Sequence, residues 1–155
     1  AQQAGFRHYE VSGFAQSDYQ CAHNLNYWQF GDYIGIGAGA HSKMTIERAV
    51  YRWFRTRHPK HYMNPLVPQQ TPQIAAPIKQ PDLVFEFLLN ALRLKEGFRF
   101  ELFEERTGLQ WSSQSGMISS AVDDGLLEIK ECHVRTSPLV WRFLYEILQR
   151  FLPDS

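Results

Sequence analysis

Residues 23–42 read HNLNYWQFGDYIGIGAGAHS, and the fold turns on how this stretch is divided. An aromatic cluster opens it, β-branched and glycine residues alternate over 33–37, and a run of small residues leads to His41 and Ser42. It brings together imidazoles that ligate or transfer protons, flat indole and phenol faces, and accessible backbone amides. That mixture suits a large, flat, partly anionic ligand. The β-branched run 33–37 is expected as a buried strand that opens into a loop. Gly35, Gly37, Ala38, Gly39, Ala40, His41 and Ser42 are candidate cofactor-pocket residues, because small side chains let a cofactor or another backbone approach closely. The same composition serves tight helix–strand packing. Upstream, SDYQCAHNLNYW is expected as a surface loop, and its plain account has Tyr27 and Trp28 tucked onto the core with His23 making one backbone hydrogen bond.

The chain has 155 residues, 44% of them hydrophobic and 14% aromatic, enough for the core of one or two small domains. Lys plus Arg balances Asp plus Glu at 16 each, so no bulk field draws the chain to nucleic-acid or membrane phosphates. The longest apolar runs fall far short of a membrane span, and no basic start precedes an apolar stretch, so neither an anchor nor a leader is expected. Cys21 and Cys132 form no disulfide framework and fit a reducing compartment, most simply the cytoplasm. Zinc held by Cys21, His23, Cys132 and His133 would need two distant segments to meet.

Taken in order, a helix tail closed by Gly5 leads to a strand over 8–12. Helix, strand, loop and strand is the order of the last part of an α/β barrel, and strands without neighbours offer edges through which two copies could pair. Residues 46–62, IERAVYRWFRTRHPKHY, place Arg55 and Arg57 on one face of a β-ribbon. Arginine suits paired hydrogen bonds to carboxylates, and the plain alternative is a solvated edge blunted by charge. Pro65, Pro68, Pro72, Pro77 and Pro81 make 64–81 an extended linker between parts 1–63 and 82–155. Beyond it, helices over 82–95, 100–106 and 113–124 end near Gly97, Gly108 and Gly125. A hairpin over 126–130 and 132–135 and a last helix over 137–152 complete the chain.

Three helices and a hairpin match the winged-helix order. The third helix, within SSQSGMISSAVDDG, has no Lys or Arg and ends in Asp123 and Asp124, so it would repel phosphates, which argues against nucleic acid as a partner. No hydrolytic constellation stands out. Glu104 and Glu105 are adjacent and diverge on a helix, and Ser42 beside His41 lacks an orienting carboxylate.

HNLNYW followed by GDYIGIGAGAHS, and preceded by YEVSGFA, resembles the radical-SAM proteins of the oxygen-independent coproporphyrinogen III oxidase group, the HemN-like proteins. FEFLLNALRLKEG resembles the start of that family's C-terminal domain, so separated motifs occur in family order and cover most of the chain. Within the group, an intact HNxxYW is similar to the HemW-type branch, regarded as haem chaperones. The resemblance implies an α+β chain: terminal strands of a radical-SAM α/β barrel followed by a mainly helical, winged-helix-like C-terminal domain. It also implies a longer parent that holds S-adenosylmethionine and a 4Fe-4S cluster through a CxxxCxxC motif. Two cysteines cannot supply the three thiolates such a cluster needs, so this chain alone is expected to be inert in radical chemistry.

The resemblance also assigns expected roles. His23 is a candidate axial ligand to haem iron or an orienting donor, with Asn24 beside it and Tyr27 and Trp28 flanking the macrocycle. Arg55 and Arg57 are the natural partners of porphyrin propionates. The expected function is haem or porphyrin handling and capping of the barrel, with the rest of the barrel as partner. Two alternatives stand beside it: a parent that decarboxylates coproporphyrinogen propionates oxidatively, and a non-catalytic interaction domain that binds neither ligand.

Overall fold

The computed structural model describes residues 4–68, 75–138, 141, 144 and 148–152. It begins with an antiparallel hairpin, β1 (Arg7–Glu10) and β2 (Gly13–Ala15). The hairpin docks on the far end of the chain's longest described helix. The Val11 amide donates to the Arg93 carbonyl at 3.2 Å and the Lys95 amide to the Tyr9 carbonyl at 3.0 Å.

Two expectations about 23–42 are corrected. The segment read as a loop contains a helix, α1 (Ala22–Trp28), whose first turn closes with the Leu25 amide on the Cys21 carbonyl at 2.9 Å. Neither proline nor glycine interrupts AHNLNYW, and a helix this short holds through the contacts around it rather than by itself. The expected strand over 33–37 is an exposed loop. Tyr33 makes one bridge to Lys43, while Ile34 and Ile36 are 64% and 88% exposed. β-branched preference reports fit to a half-buried surface, and no described residue provides one there.

Strands resume at β3 (His41–Ile46), which pairs with β4 (Ala49–Phe54) from His41 opposite Phe54 to Ile46 opposite Ala49. Glu47 and Arg48 both have positive φ, 49° and 67°, the mirror-image turn whose twist matches a two-residue hairpin. The arginine ribbon is shorter than expected. Arg55 and Arg57 lie beyond β4, and Pro59 starts a short helix, α2 (Pro59–Tyr62).

The central part of the proline-rich stretch lies outside the described residues. Its end runs along β4, where the Ile78 amide donates to the Val50 carbonyl at 2.8 Å. Helix α3 (Gln80–Ala91) begins two residues before Asp82, with Pro81 in its first turn. β5 (Phe98–Arg99) comes next, then α4 (Phe100–Thr107), a 3-10 turn over Trp111–Gln114, α5 (Ser115–Asp123), and the hairpin β6 (Leu127–Lys130) and β7 (His133–Thr136). β5 pairs with β7, giving the order β5-β7-β6. At two residues, β5 is too short to announce itself by alternation. The last expected helix falls largely outside the described residues, although Trp141, Leu144, Leu148 and Phe151 are buried. Helices and strands are mixed, and every strand pairing described is antiparallel.

The apolar stripe of α3 organises the core. Phe87 is fully buried and meets Phe30, Phe98 and Phe103 edge-on, with centroids 5.6, 4.9 and 5.1 Å away. Phe30 and Val50 belong to the same buried cluster as α3, α4, α5 and β7, so the parts on either side of the prolines share one core. Phe87→Ala should therefore cost about 3–5 kcal/mol in urea unfolding and loosen both parts in one transition. Two separate transitions, with only the later part weakened, would contradict a shared core.

Candidate functional site

A buried cation fixes the geometry between α1 and β3. Lys43 is 2% exposed, and its ammonium donates to the Phe30 carbonyl at 2.9 Å and to Asp32 Oδ1 at 3.3 Å. The same group sits 4.0 Å from the centroid of the Phe30 ring, a cation–π contact. Asp32 also accepts the Thr45 amide at 2.9 Å and the Thr45 hydroxyl at 3.0 Å, while the Asn26 side chain donates to the Asp32 carbonyl at 3.0 Å. Phe30 itself lies in the left-handed region, at φ 55°. The exit of α1 is thereby tied to β3 through side chain and backbone.

Burial pushes the Asp32 carboxyl up, but the Thr45 amide, the Lys43 charge and the Thr45 hydroxyl outweigh it, and the net shift is downward from 3.8. Lys43 also shifts downward: loss of hydration dominates, and a single partly exposed carboxylate only partly offsets it.

The aromatic row begins on the exposed side of α1. His23 and Tyr27, four residues apart, share a face and meet edge-on with centroids 4.7 Å apart. Tyr27 then meets Tyr33 at 4.6 Å, and Tyr33 is held by two backbone hydrogen bonds with Lys43, at 2.9 and 3.0 Å. His23 is exposed and Asn24 half-buried. Trp28 points elsewhere, beneath the Arg93 guanidinium at 4.2 Å.

Tyr27 and Tyr33 line a cleft of about 660 Å³ whose other lining includes Phe85, Glu86 and Leu89 of α3. Arg52, directly opposite Lys43 on the hairpin, reaches the cleft and pairs with Glu86 at 2.6 Å. Burial raises the Glu86 carboxyl, and Arg52 offsets only part of that rise. Lys43, Tyr33, Arg52 and Glu86 are not among the candidate site residues named from the sequence. The available signal was Lys43 and Arg52 in a hairpin register that needs Asp32 and Glu86 as counter-charges.

The glycine loop uses its freedom on its own chain. A Cβ at Gly35 would fall against the His41 carbonyl oxygen, and the Gly35 amide donates to the buried Ser42 hydroxyl at 3.0 Å. Gly37 and Gly39 have φ of 104° and 75°. Arg57 packs beside Gly39, the Arg55 amide donates to the Ala40 carbonyl at 2.7 Å, and Ala38 and His41 are exposed. Arg55 and Arg57 thus join the glycine loop rather than the aromatic row.

Among the described residues, no group of three or more His, Cys, Asp or Glu side chains is placed to hold a metal ion. Cys21 and Cys132 are exposed free thiols, a donor set that does not fit a 4Fe-4S cluster. No described helix is long and apolar enough to cross a membrane.

Because the Asp32 carboxyl titrates lower in the folded chain than in the unfolded one, its stabilising contribution is complete above the unfolded value of 3.8 and is lost as pH falls through the folded value. Wild type should exceed Asp32→Asn in urea stability at about pH 6, with the difference shrinking toward about pH 2.5. A difference that does not change with pH would contradict the assigned network.

Residues 78–143 match the HemN C-terminal domain family. The chain is 36% identical to Heme chaperone HemW of Haemophilus influenzae over 98% of its length, and 36% identical to Heme chaperone HemW of Escherichia coli over 97%. Each match covers 39% of the relative, so the chain spans about two fifths of the length of these curated relatives. Among solved structures, the coproporphyrinogen III oxidase HemN of Escherichia coli, described as a radical SAM enzyme, is similar in fold, with a TM-score of 0.56 at 14% identity. That likeness covers 97% of this chain and 38% of the other. With a buried core built on the α3 segment and an HNxxYW helix packed against it, the chain is similar over nearly its whole length to the HemW proteins, and its residues 78–143 match the HemN C-terminal domain family.

Proposed function

We propose that this chain is the haem-handling part of a HemW-type haem chaperone, with His23 meeting the haem iron. The observation that carries this reading is the exposed His23 imidazole braced edge-on against Tyr27 at the head of the aromatic row. An axial imidazole must be accessible and fixed in direction, and a braced ring on a helix face satisfies both. Asn24 supplies a polar neighbour, while Trp28 steadies α1 beneath Arg93. The identity to proteins named haem chaperones across nearly the whole chain supports the same reading.

In the longer protein, S-adenosylmethionine would lie in the rest of the barrel, and haem or porphyrin would be handled near His23 and the loop formed by Gly35, Gly37, Ala38, Gly39, Ala40, His41 and Ser42, with Arg55 and Arg57 at the loop's edge for propionates. The 4Fe-4S cluster would be held by cysteines this chain does not carry. Exposed Phe14, Ile34 and Ile36 suit coverage by the rest of a radical-SAM barrel, or pairing of two copies when it is absent. Residues 82–155 act as a winged-helix-like cap joined through 64–81 to the barrel end at 1–63, with which they share a core, and the winged-helix likeness is supported by β5 pairing with the hairpin strand β7. The cytoplasm is the compartment. Oxidative decarboxylation by the parent is the second reading, favoured by the fold likeness to HemN.

Haem titrated into the chain should give a saturable Soret band, and His23→Ala should weaken binding about tenfold or more and shift the band. An identical band and affinity in the variant would remove His23 from the site.

A further inference from the structure

None of the residues of α1 is buried and no side chain caps it, so its direction depends on the few side chains that meet its flanks. On one flank the Asn26 side chain donates to the Asp32 carbonyl and Tyr27 meets Tyr33. On the other, the Trp28 ring lies beneath the Arg93 guanidinium, whose Cζ is 4.2 Å from the ring centroid. In a helix of seven residues, His23 and Trp28 stand near opposite ends, so a shift of the Trp28 ring re-aims the imidazole.

Arg93 is where separate parts of the chain meet. One Nη reaches Glu10 Oε2 at 3.4 Å and the Ser12 hydroxyl oxygen at 3.5 Å, both in the hairpin β1–β2. The Ser12 hydroxyl also donates to Glu10 Oε1 at 3.0 Å, and a Cβ at Gly13 would fall against that same oxygen, so the hairpin turn is shaped around this carboxylate. The Arg93 carbonyl accepts the Val11 amide at 3.2 Å and the Trp141 indole N–H at 3.3 Å.

Glu10 is 2% exposed, and Arg93 is the cation paired with it. A carboxylate enclosed to that degree holds its cation firmly, because separation would leave the charge unpaired. The Arg93 Nε is itself enclosed, with no acceptor among the described residues. The guanidinium is therefore placed by the carboxylate at its tip and the ring under its plane, and a change at either one moves it against the other.

We propose that Arg93 is a positioning residue that couples the β1–β2 hairpin to the direction of His23: Glu10 sets the guanidinium, the guanidinium sets Trp28, and Trp28 sets α1. A planar cation suits this task, since it meets a carboxylate with its edge and an aromatic ring with its face at once. The consequence for function rests on the haem-handling reading, in which the hairpin belongs to the barrel end and movement of the barrel strands re-aims the iron ligand.

The test follows the Trp28 indole and His23 imidazole signals by NMR in the ligand-free chain. Glu10→Gln removes the buried charge and keeps an acceptor for Ser12, while Arg93→Lys keeps a cation for Glu10 and loses the planar face. Glu10→Gln should displace both signals in the wild-type background, and in the Arg93→Lys background its effect on His23 should fall to about half or less. The imidazole of His58, at the start of α2, should stay in place throughout. An unmoved His23 in Glu10→Gln, an equal displacement in both backgrounds, or a displacement of His58 as large as that of His23 would overturn the proposal. Haem affinity separates this coupling from the haem-handling reading. If the signals couple while haem binds Arg93→Lys and wild type alike, the coupling stands and the iron-ligand reading falls.

Discussion

A charged amine enclosed by the fold is the constraint on which the rest depends. Taking an ammonium out of water costs several kcal/mol unless its donors are met, and Lys43 meets this cost with the Phe30 carbonyl, Asp32 and the Phe30 ring. Those partners are the residues that lead out of α1. Phe30 in turn packs on Phe87, so the same contact set joins the HNxxYW helix to the core of the HemN C-terminal domain. The backbone of Lys43 also holds Tyr33, and Tyr33 braces Tyr27. One residue thus sets the exit of the motif helix, the second tyrosine of the row and one side of the cleft.

Around Lys43 the molecule divides into enclosed and open surface. The α3 side is packed with phenylalanines and tolerates little change of volume. The α1 side leaves an imidazole, a tyrosine pair and a half-exposed ion pair at the solvent boundary, where a ligand can reach them. The glycine loop belongs to neither class. At Gly35 the lack of a Cβ admits the His41 carbonyl, so the space left there serves the chain's own turn.

The later half was legible because its signals are redundant. Val84, Phe87, Leu88 and Ala91 form a helical stripe, and Gly108 and Gly125 adopt the left-handed conformation expected of helix stops. Motif order alone also marked the family. The aromatic helix was not legible, since α1 has seven residues, no apolar stripe and no side-chain cap. Nor could spacing identify the arginine that reaches the cleft. Arg52 rather than Arg55 or Arg57 does so because the Glu47–Arg48 turn sets the hairpin register, and register depends on pairing rather than on local composition. Lys43 was passed over for a related reason: a lysine is read as solvated until its partners, Asp32 and a distant carbonyl, are placed around it.

The most direct measurement of the central claim is paramagnetic broadening of side-chain ring signals on adding ferric haem, referenced to the zinc porphyrin as a diamagnetic control. If haem is held at the aromatic row, the signals of His23, Tyr27 and Tyr33 should be lost first while those of Phe103 and His133 persist. Broadening centred on His133 or His58, with the row unaffected, would contradict the account.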